Sequence, residues 1–458
     1  MNEEKTALIV STFASFITPF MASSLNVALP VLGKEFSLDA IALGWIATAY
    51  LLSAAVLLIP FGRLADTYGR KKVFITGILL YSLFSFLLPA SSSGTMLIVL
   101  RVCQGVGAAM IFCTSIAILI SATPASSRGK ALGINVASVY LGLSLGPFFG
   151  GLLTQSFTWR SIFFINGFFG LIILGLTFWK LKGEWADERR GSFDGIGSVL
   201  LCSSLTLIMI GSSRLHLPAG LWMVAGGVVS GFFFVLWEKK VVHPIIDIKL
   251  FSENRAFASS NLAALINYSA TAAVTFLLSL YLQNVKGQSP SGAGIVLVSQ
   301  PICMTLVSPL AGRLSDKIEP RYIASLGMAL TVIGLCFFIF IGRDTSLVHI
   351  SLNLVLLGVG FGLFSSPNTN AIMSSVPREV YGVASATVGT MRLSGQMLSM
   401  GIVLVMLSLS IGSSNITIGN AADFLGMMRN AFIVFSVVCF IGIFFSLARG
   451  NIRSAAER

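Results

Sequence analysis

The stretch GRLADTYGRKK, residues 62–72, lies between two apolar segments, and its first part recurs as GRLSD at residues 312–316. A second pair, GVG at residues 105–107 and at 358–360, recurs at an interval of 253 residues, against 250 for the first. Two repeats at nearly one interval indicate a duplicated chain. The sequence therefore predicts two related halves in parallel orientation.

The apolar residues between these repeats occur in long runs. The chain has 458 residues, of which 55% are hydrophobic and 10% charged, whereas a soluble protein has roughly 25% charged residues. This composition excludes a soluble enzyme, a disulfide-knit secreted domain, a coiled coil and a disordered chain. Fourteen spans of bilayer length follow in order: 7–30, 41–61, 73–90, 95–121, 130–153, 162–179, 195–213, 219–237, 256–282, 292–311, 323–342, 348–374, 383–409 and 427–448.

The repeat also orders these spans, because span n of the first half corresponds to span n+8 of the second. Spans 7 and 8 are then an insertion. We expect an all-α integral membrane protein with fourteen transmembrane helices arranged 6+2+6. The predicted parts are an N-terminal six-helix bundle (1–181), two linker helices with flanking cytoplasmic loops (182–254) and a C-terminal six-helix bundle (255–458).

The basic residues indicate the orientation. Of 30 Lys and Arg residues, 22 lie on the side that holds both termini and six on the other side. By the positive-inside rule both termini are cytoplasmic. The net charge of +12 is thus a sign of topology, and no nucleic-acid partner is expected. The bilayer is the expected surrounding, with residues 62–72 in the cytoplasm and 31–40 outside.

Polar side chains inside the spans predict a central cavity. Each is costly in hydrocarbon and usually faces protein or water. Their distribution is similar in the two halves, which favours a cavity between the halves. For any single amide, hydrogen bonding between helices without substrate contact is an equally good explanation. The predicted cavity residues are Asn26, Tyr50, Arg101, Gln104, Asn261, Asn267, Tyr268, Gln300, Asn368, Asn370, Arg392 and Gln396.

Catalysis and metal binding are not expected. The six cysteines lie within the spans at no close spacing, and the three histidines are far apart. No nucleophile with a nearby base and no phosphate-binding loop is visible. The sequence predicts neither an enzyme nor a cofactor.

Several motifs resemble the major facilitator superfamily. The similarity includes residues 62–72, the arginine-containing segment 97–107, and the series Gly133, Gly142, Gly146, Pro147, Gly150 and Gly151. Residues 159–166, 193–194 and 243–251 are similar to the 14-helix drug:proton antiporter family of QacA/EmrB-type multidrug exporters. The resemblance implies alternating access, efflux of an amphiphilic or drug-like small molecule, proton coupling and a plasma-membrane location. A monomer is the expected working unit, although the sequence does not fix the oligomeric state.

Two motifs are expected to move. Glycine allows a tight turn in the 62–72 loop, while an aspartate there can latch one state by pairing with basic groups. Small residues in the fifth span allow close backbone approach between parts that open and close. The predicted gating residues are Gly62, Asp66, Gly69, Arg70, Gly312, Asp316, Gly142, Gly146, Pro147, Gly150 and Gly151.

The first span departs from the family pattern. Its ending, residues 26–30, matches, but Met21 stands where relatives carry an aspartate, and all 18 carboxylates lie in loops or at helix ends. The candidates for proton coupling are therefore Asp66 and Arg101. One alternative is transport or exchange of an anionic metabolite by Arg101 and Arg392. Another is a membrane sensor that transports nothing.

Overall fold

The computed structural model describes residues 3–124, 128–181, 183, 193–212, 214–215, 217–241, 244–245, 249–315, 317–376, 381–411 and 420–450. Across these ranges, fourteen helices are long and apolar enough to cross a membrane, and there is no β-strand. The helices are α1 Glu3–Phe36, α2 Ala40–Tyr68, α3 Arg70–Leu87, α4 Gly94–Ala122, α5 Arg128–Ser156, α6 Arg160–Lys180, α7 Gly195–Ser212, α8 Pro218–Glu238, α9 Arg255–Val285, α10 Pro290–Ser315, α11 Pro320–Phe338, α12 Leu347–Ser374, α13 Tyr381–Ser410 and α14 Ala421–Ala448. The prediction of an all-α membrane protein with fourteen helices is confirmed.

Most helices extend past the apolar spans because capping residues, rather than hydropathy, set their ends. The Asp39 side chain accepts the Ala42 N–H at 2.7 Å and so begins α2. Ser93 caps α4 in the same way. With 34 residues, α1 is about 51 Å long, well beyond the ~30 Å of a hydrocarbon core. Its ends therefore project from the membrane.

Helix α9 is not regular along its length. It consists of Arg255–Thr271, Val274–Leu280 and a π-helical turn, Tyr281–Val285. π-helical turns are rare and are found mainly at functional sites. In this protein the π-helical turn lies where α9 meets α1.

The packing of the helices repeats at an interval of eight. Helix α1 packs on α5, α2 on α4, and α3 on α4 and α6; likewise α9 packs on α13, α10 on α12, and α11 on α12 and α14. The two sets of six helices meet through α2 with α13 and α5 with α10. The inserted helices α7 and α8 pack on each other, and α7 also contacts α2 and α13. This arrangement is consistent with the duplication, while the predicted domain boundaries remain a prediction.

The outer helices present apolar side chains to the surroundings. In α8, 17% of the most apolar window is buried, compared with 72% in α2. Trp222 and Phe232 of α8 are 79% and 60% exposed. Such a surface is stable only in a bilayer, and the chain is a multi-pass membrane protein.

Candidate substrate site and gates

A polar contact joins the two sets of six helices halfway along their length. The hydroxyls of Tyr140 on α5 and Ser365 on α12 lie 2.6 Å apart. Tyr140 also packs with Met304 of α10 and Phe361 of α12, and these three side chains are 5–7% exposed. A tyrosine of one half is therefore surrounded by residues of the other.

Aromatic rings and one arginine complete this cluster. The rings of Tyr268 and Phe361 meet edge to face with centroids 5.2 Å apart. The guanidinium carbon of Arg392 lies 5.8 Å from the centroid of the Phe112 ring, and Gly395, one turn along α13 from Arg392, packs against Tyr268. We call the following set the midplane site: Phe112, Tyr140, Tyr268, Met304, Phe361, Ser365 and Arg392.

Of the predicted cavity residues, Tyr268 and Arg392 belong to the midplane site. Gln396, one turn beyond Arg392, is partly exposed. Tyr140 and Ser365 were not among the predicted cavity residues, because amides and charges within a span are the stronger signal whereas hydroxyl and aromatic residues are common in the spans. A tyrosine among the small residues before Pro147 was the available signal.

Arg101 lies in a different environment, within the N-terminal set of helices. Its side chain is 1% exposed, donates to the Ile46 carbonyl at 3.2 Å and the Gln104 amide oxygen at 2.6 Å, and covers the Tyr50 ring at 4.3 Å. Gln104 donates in turn to the Ser85 hydroxyl at 2.7 Å. Three predicted cavity residues thus form one buried network between α2, α3 and α4.

The predicted asparagines of the C-terminal set mostly bond within that set. Asn368 donates to the Ser260 carbonyl at 3.2 Å, and Asn370 donates to the Ser315 hydroxyl at 2.9 Å. Asn261 donates to its own helix at Phe257. These bonds agree with interhelical hydrogen bonding for Asn368 and Asn370.

Two further predicted cavity residues are buried but differ in their packing. Asn267 is fully buried, and its amide has no hydrogen-bond partner among the described residues. Gln300 is 9% exposed, and its backbone carbonyl packs against Gly358 of α12. Neither side chain forms a hydrogen bond with a described residue of the midplane site.

At the end of the molecule that the charge bias predicts to lie outside, α9 bonds to carbonyl groups of α1. Pro30 has no N–H, so the Asn26 carbonyl lacks its usual donor within the helix. The Ser279 hydroxyl of α9 donates to that carbonyl at 2.7 Å, and the Gln283 amide donates to the Val27 carbonyl at 2.9 Å. Gln283 belongs to the π-helical turn. We call these two bonds the outer latch.

Residues 62–72, predicted as a loop, are helical except for Gly69, because α2 continues to Tyr68 and α3 begins at Arg70. Gly69 joins α2 to α3 with φ +113°, a conformation that side-chain-bearing residues rarely adopt. Arg70 pairs with Asp66 at 2.8 Å and also donates to Ser121 of α4 at 2.7 Å. The loop therefore ties together three helix ends of the N-terminal set. In the corresponding part of the second half, Gly312 packs against Ser366 of α12.

The last two predicted gating positions are Gly62 and Asp316. A side chain at Gly62 would meet Cys113 of α4 at an ordinary 3.6 Å. Asp316 lies outside the described residues.

The glycine and proline residues of α5 lie on two sides of the helix, one toward α1 and the other toward α10. Gly142, Gly146 and Gly150 pack against α1 within the N-terminal set, and a Cβ at Gly150 would lie 2.7 Å from the Ser24 Cα. On the other face, a Cβ at Gly151 would lie 2.5 Å from the Pro290 carbonyl oxygen of α10, and Gly294 of α10 packs against the Pro147 carbonyl. Near Gly151 and Gly294 the contact between α5 and α10 is thus formed by backbone, whereas elsewhere side chains meet, as in the 3.1 Å hydrogen bond between the Ser144 and Thr305 hydroxyls.

Comparison with known proteins decides the family. A profile described as the Major Facilitator Superfamily matches residues 11–400, with a second match over 261–457. The chain belongs to the Major Facilitator Superfamily. Its relatives are transporters and not enzymes, so the expected absence of an enzyme activity is confirmed.

Two relatives and one solved structure illustrate the similarity. The riboflavin transporter RibZ of Clostridioides difficile (strain 630) is 33% identical, with 86% of each chain covered. The multidrug resistance protein Stp of Mycobacterium tuberculosis (strain CDC 1551 / Oshkosh) is 31% identical over 86% of this chain and 74% of its own. A bacterial homologue of the human lysosomal transporter Spinster, solved inward-facing and unoccupied, has a TM-score of 0.67 at 18% identity and covers 99% of this chain and 98% of its own. This last similarity shows the fold alone.

Proposed function

We propose that this superfamily member is a secondary active transporter of the plasma membrane that exports amphiphilic drugs or related small organic molecules by alternating access. The bond between Tyr140 and Ser365 carries the proposal. It joins α5 of one half to α12 of the other, and transporters of this kind bind substrate between their halves. The aromatic rings beside it supply a surface on which a flat molecule can stack.

The contacts of the outer end support alternating access. The outer latch joins α1 to α9, and the backbone contact of Gly151 joins α5 to α10. Both contacts are small and connect the two sets of helices, so a rocking motion can break them together. In this proposal the structure is closed at the end that the charge bias assigns to the outside.

The relatives support a substrate with aromatic rings. One is named a riboflavin transporter and another a multidrug resistance protein. A site with Tyr140, Tyr268 and Phe361 suits a flat polycyclic molecule of either kind. We propose a monomer surrounded by lipid as the working unit.

Flux measurements with the purified full-length chain test the proposal. Proteoliposomes would be assayed with riboflavin, fluorescein and norfloxacin, against protein-free liposomes. We expect flux of at least one compound, reduced several-fold by Tyr140→Phe, which removes the hydroxyl but keeps the ring. Tyr322→Phe, at a 52% exposed tyrosine of α11, is the matched control and should transport like the wild type. Equal flux with and without protein for every compound would contradict transport and favour the sensor.

A second candidate function is exchange of anionic metabolites. It is favoured by Arg392, which places a positive charge between the halves. Loading the proteoliposomes with an organic anion distinguishes the two functions. Exchange requires an anion on the opposite side, whereas export of a drug-like molecule proceeds without one.

A further inference from the structure

Arg392 is a charged side chain at the contact between the two halves. It lies on α13, and its guanidinium carbon is 5.8 Å from the ring centroid of Phe112 on α4 of the other half. Arg392 is partly exposed, and Gly395, one turn along α13, packs against Tyr268 of the midplane site. A molecule bound against Tyr268 between the halves would therefore lie near this guanidinium.

The charge of Arg392 is not neutralised within the part of the chain described. The ion pairs of Asp66 with Arg70 and of Glu35 with Arg160 do not involve Arg392, and both lie near helix ends. All 18 carboxylates of the sequence occur in loops or at helix ends. Arg101, the other arginine within a span, differs because it donates to Ile46 and Gln104.

An uncompensated charge at this position discriminates between ligands by sign. Two unit charges about 6 Å apart, at an effective dielectric constant of about 20, change a binding constant by about a hundredfold. Attraction acts on an anion and repulsion on a cation. The nearby rings do not offset this repulsion, because the Phe112 ring already faces the guanidinium at 5.8 Å.

We propose that Arg392 is the residue that sets the charge preference of the midplane site: the site accepts flat aromatic molecules that are anionic or neutral, and rejects organic cations. This inference rests on the proposed transport function and specifies its substrate class. Tyr268 and Phe361 supply the stacking surface. Gln396, one turn along α13, offers an amide to polar substituents.

Matched dyes test the preference. Fluorescein and rhodamine 123 share the xanthene ring system but differ in charge, and riboflavin is a neutral tricycle. In proteoliposomes we expect the wild type to transport fluorescein and riboflavin at least tenfold faster than rhodamine 123, after subtraction of the leak of protein-free liposomes. Arg392→Lys should keep this order, Arg392→Gln should abolish it, and Arg392→Glu should reverse it.

Equilibrium binding keeps the test independent of transport. Fluorescence anisotropy of the two xanthenes with the detergent-purified protein should show the same order, and melting temperatures should show that each variant is folded. Arg429→Gln removes a charge from an exposed position of α14 and should leave the order unchanged.

The outcomes separate the two proposals. If the wild type transports all three dyes at similar rates, or if Arg392→Gln keeps the preference for fluorescein and riboflavin over rhodamine 123, the role of Arg392 is overturned and transport stands. If fluorescein binds more tightly than rhodamine 123 but no dye is transported, transport is contradicted and the charge preference is supported. Absence of both overturns both proposals.

Discussion

At the scale of single residues, the two arginines within the spans have different surroundings. Arg101 is enclosed by Tyr50, Gln104 and the Ile46 carbonyl, all of the N-terminal set. Arg392 faces the other half across the midplane site. The same residue type is therefore expected to stabilise the fold at one position and to select substrates at the other.

Arg101→Ala should lower the stability of the protein as well as its transport. The substitution leaves the Gln104 amide oxygen without its donor in a buried site, which costs about 1–3 kcal/mol. Arg101→Lys should lose less, because it keeps the charge but not the planar fork. Melting in detergent and flux of the best substrate would be measured, with Arg392→Ala as the control that should melt close to the wild type. Wild-type melting and flux for Arg101→Ala would show that the network is dispensable.

At the scale of elements, the proline of α1 creates a site for α9. Pro30 leaves the Asn26 carbonyl without an intrahelical donor, and Ser279 of the other half takes that place at 2.7 Å. A helix break within one half thus becomes a specific contact between the halves. The π-helical turn presents Gln283 to the neighbouring carbonyl of Val27.

A double-mutant cycle tests this contact. Ser279→Ala alone should open the outer end, because a buried carbonyl loses its donor. In the Pro30→Ala background the carbonyl regains an N–H within α1, so Ser279→Ala should have a smaller effect. We expect a coupling of about 1 kcal/mol in the free energy of unfolding. Strictly additive effects would indicate that the hydroxyl does not serve the freed carbonyl.

Gly151→Ala should favour opening at the outer end. The new methyl group would lie 2.5 Å from the Pro290 carbonyl oxygen of α10, so α5 and α10 must separate. Labelling of a cysteine introduced at Ser291, in a protein otherwise free of cysteine, would report this opening as faster reaction with a membrane-impermeant maleimide. Gly175→Ala in α6 is the control, since a Cβ there meets nothing within 4 Å. An unchanged labelling rate for Gly151→Ala would mean that the interface absorbs the methyl group.

The elements were predictable from the sequence, and most of the site was not. Hydrophobic runs reveal the fourteen helices because a bilayer demands length and apolarity. The repeat reveals the pairing because duplicated halves keep their loops. The rotation of each helix about its axis is set by close packing, such as that of Gly150 against Ser24, and hydropathy does not encode it. The bond between Tyr140 and Ser365 depends on that rotation.

At the scale of the whole molecule, the two halves are alike in packing but differ at their contacts. At its C-terminal end, helix α5 meets α10 by backbone, at Gly151 and Pro290. At the corresponding contact of α2 with α13, the side chain of Leu404 packs on Gly44. The two interfaces are therefore expected to separate differently at these points, since backbone meets backbone in one and a leucine side chain fills the space over a glycine in the other.

The lack of a carboxylate within the membrane has a consequence for energy coupling. A buried aspartate beside an arginine can titrate in the physiological range, because burial and the neighbouring charge shift its pKa in opposite directions. Met21 is fully buried and cannot bind a proton. Asp66, the nearest candidate in the gating loop, is instead partly exposed and paired with Arg70 at 2.8 Å.

We therefore expect flux by the wild type to depend only weakly on an imposed pH gradient, less than twofold between a gradient of two pH units and none. Met21→Asp should strengthen this dependence if residue 21 reaches the substrate path, and Met21→Asn is its matched control because it adds polarity without a titratable group. The measurement is initial flux in proteoliposomes at fixed internal pH. Strong uphill transport by the wild type that disappears in Asp66→Asn would place proton coupling at the loop. Strong uphill transport that survives Asp66→Asn would show that a group other than Asp66 carries the proton. That group could not be a carboxylate in the middle of a span, because the sequence has none there.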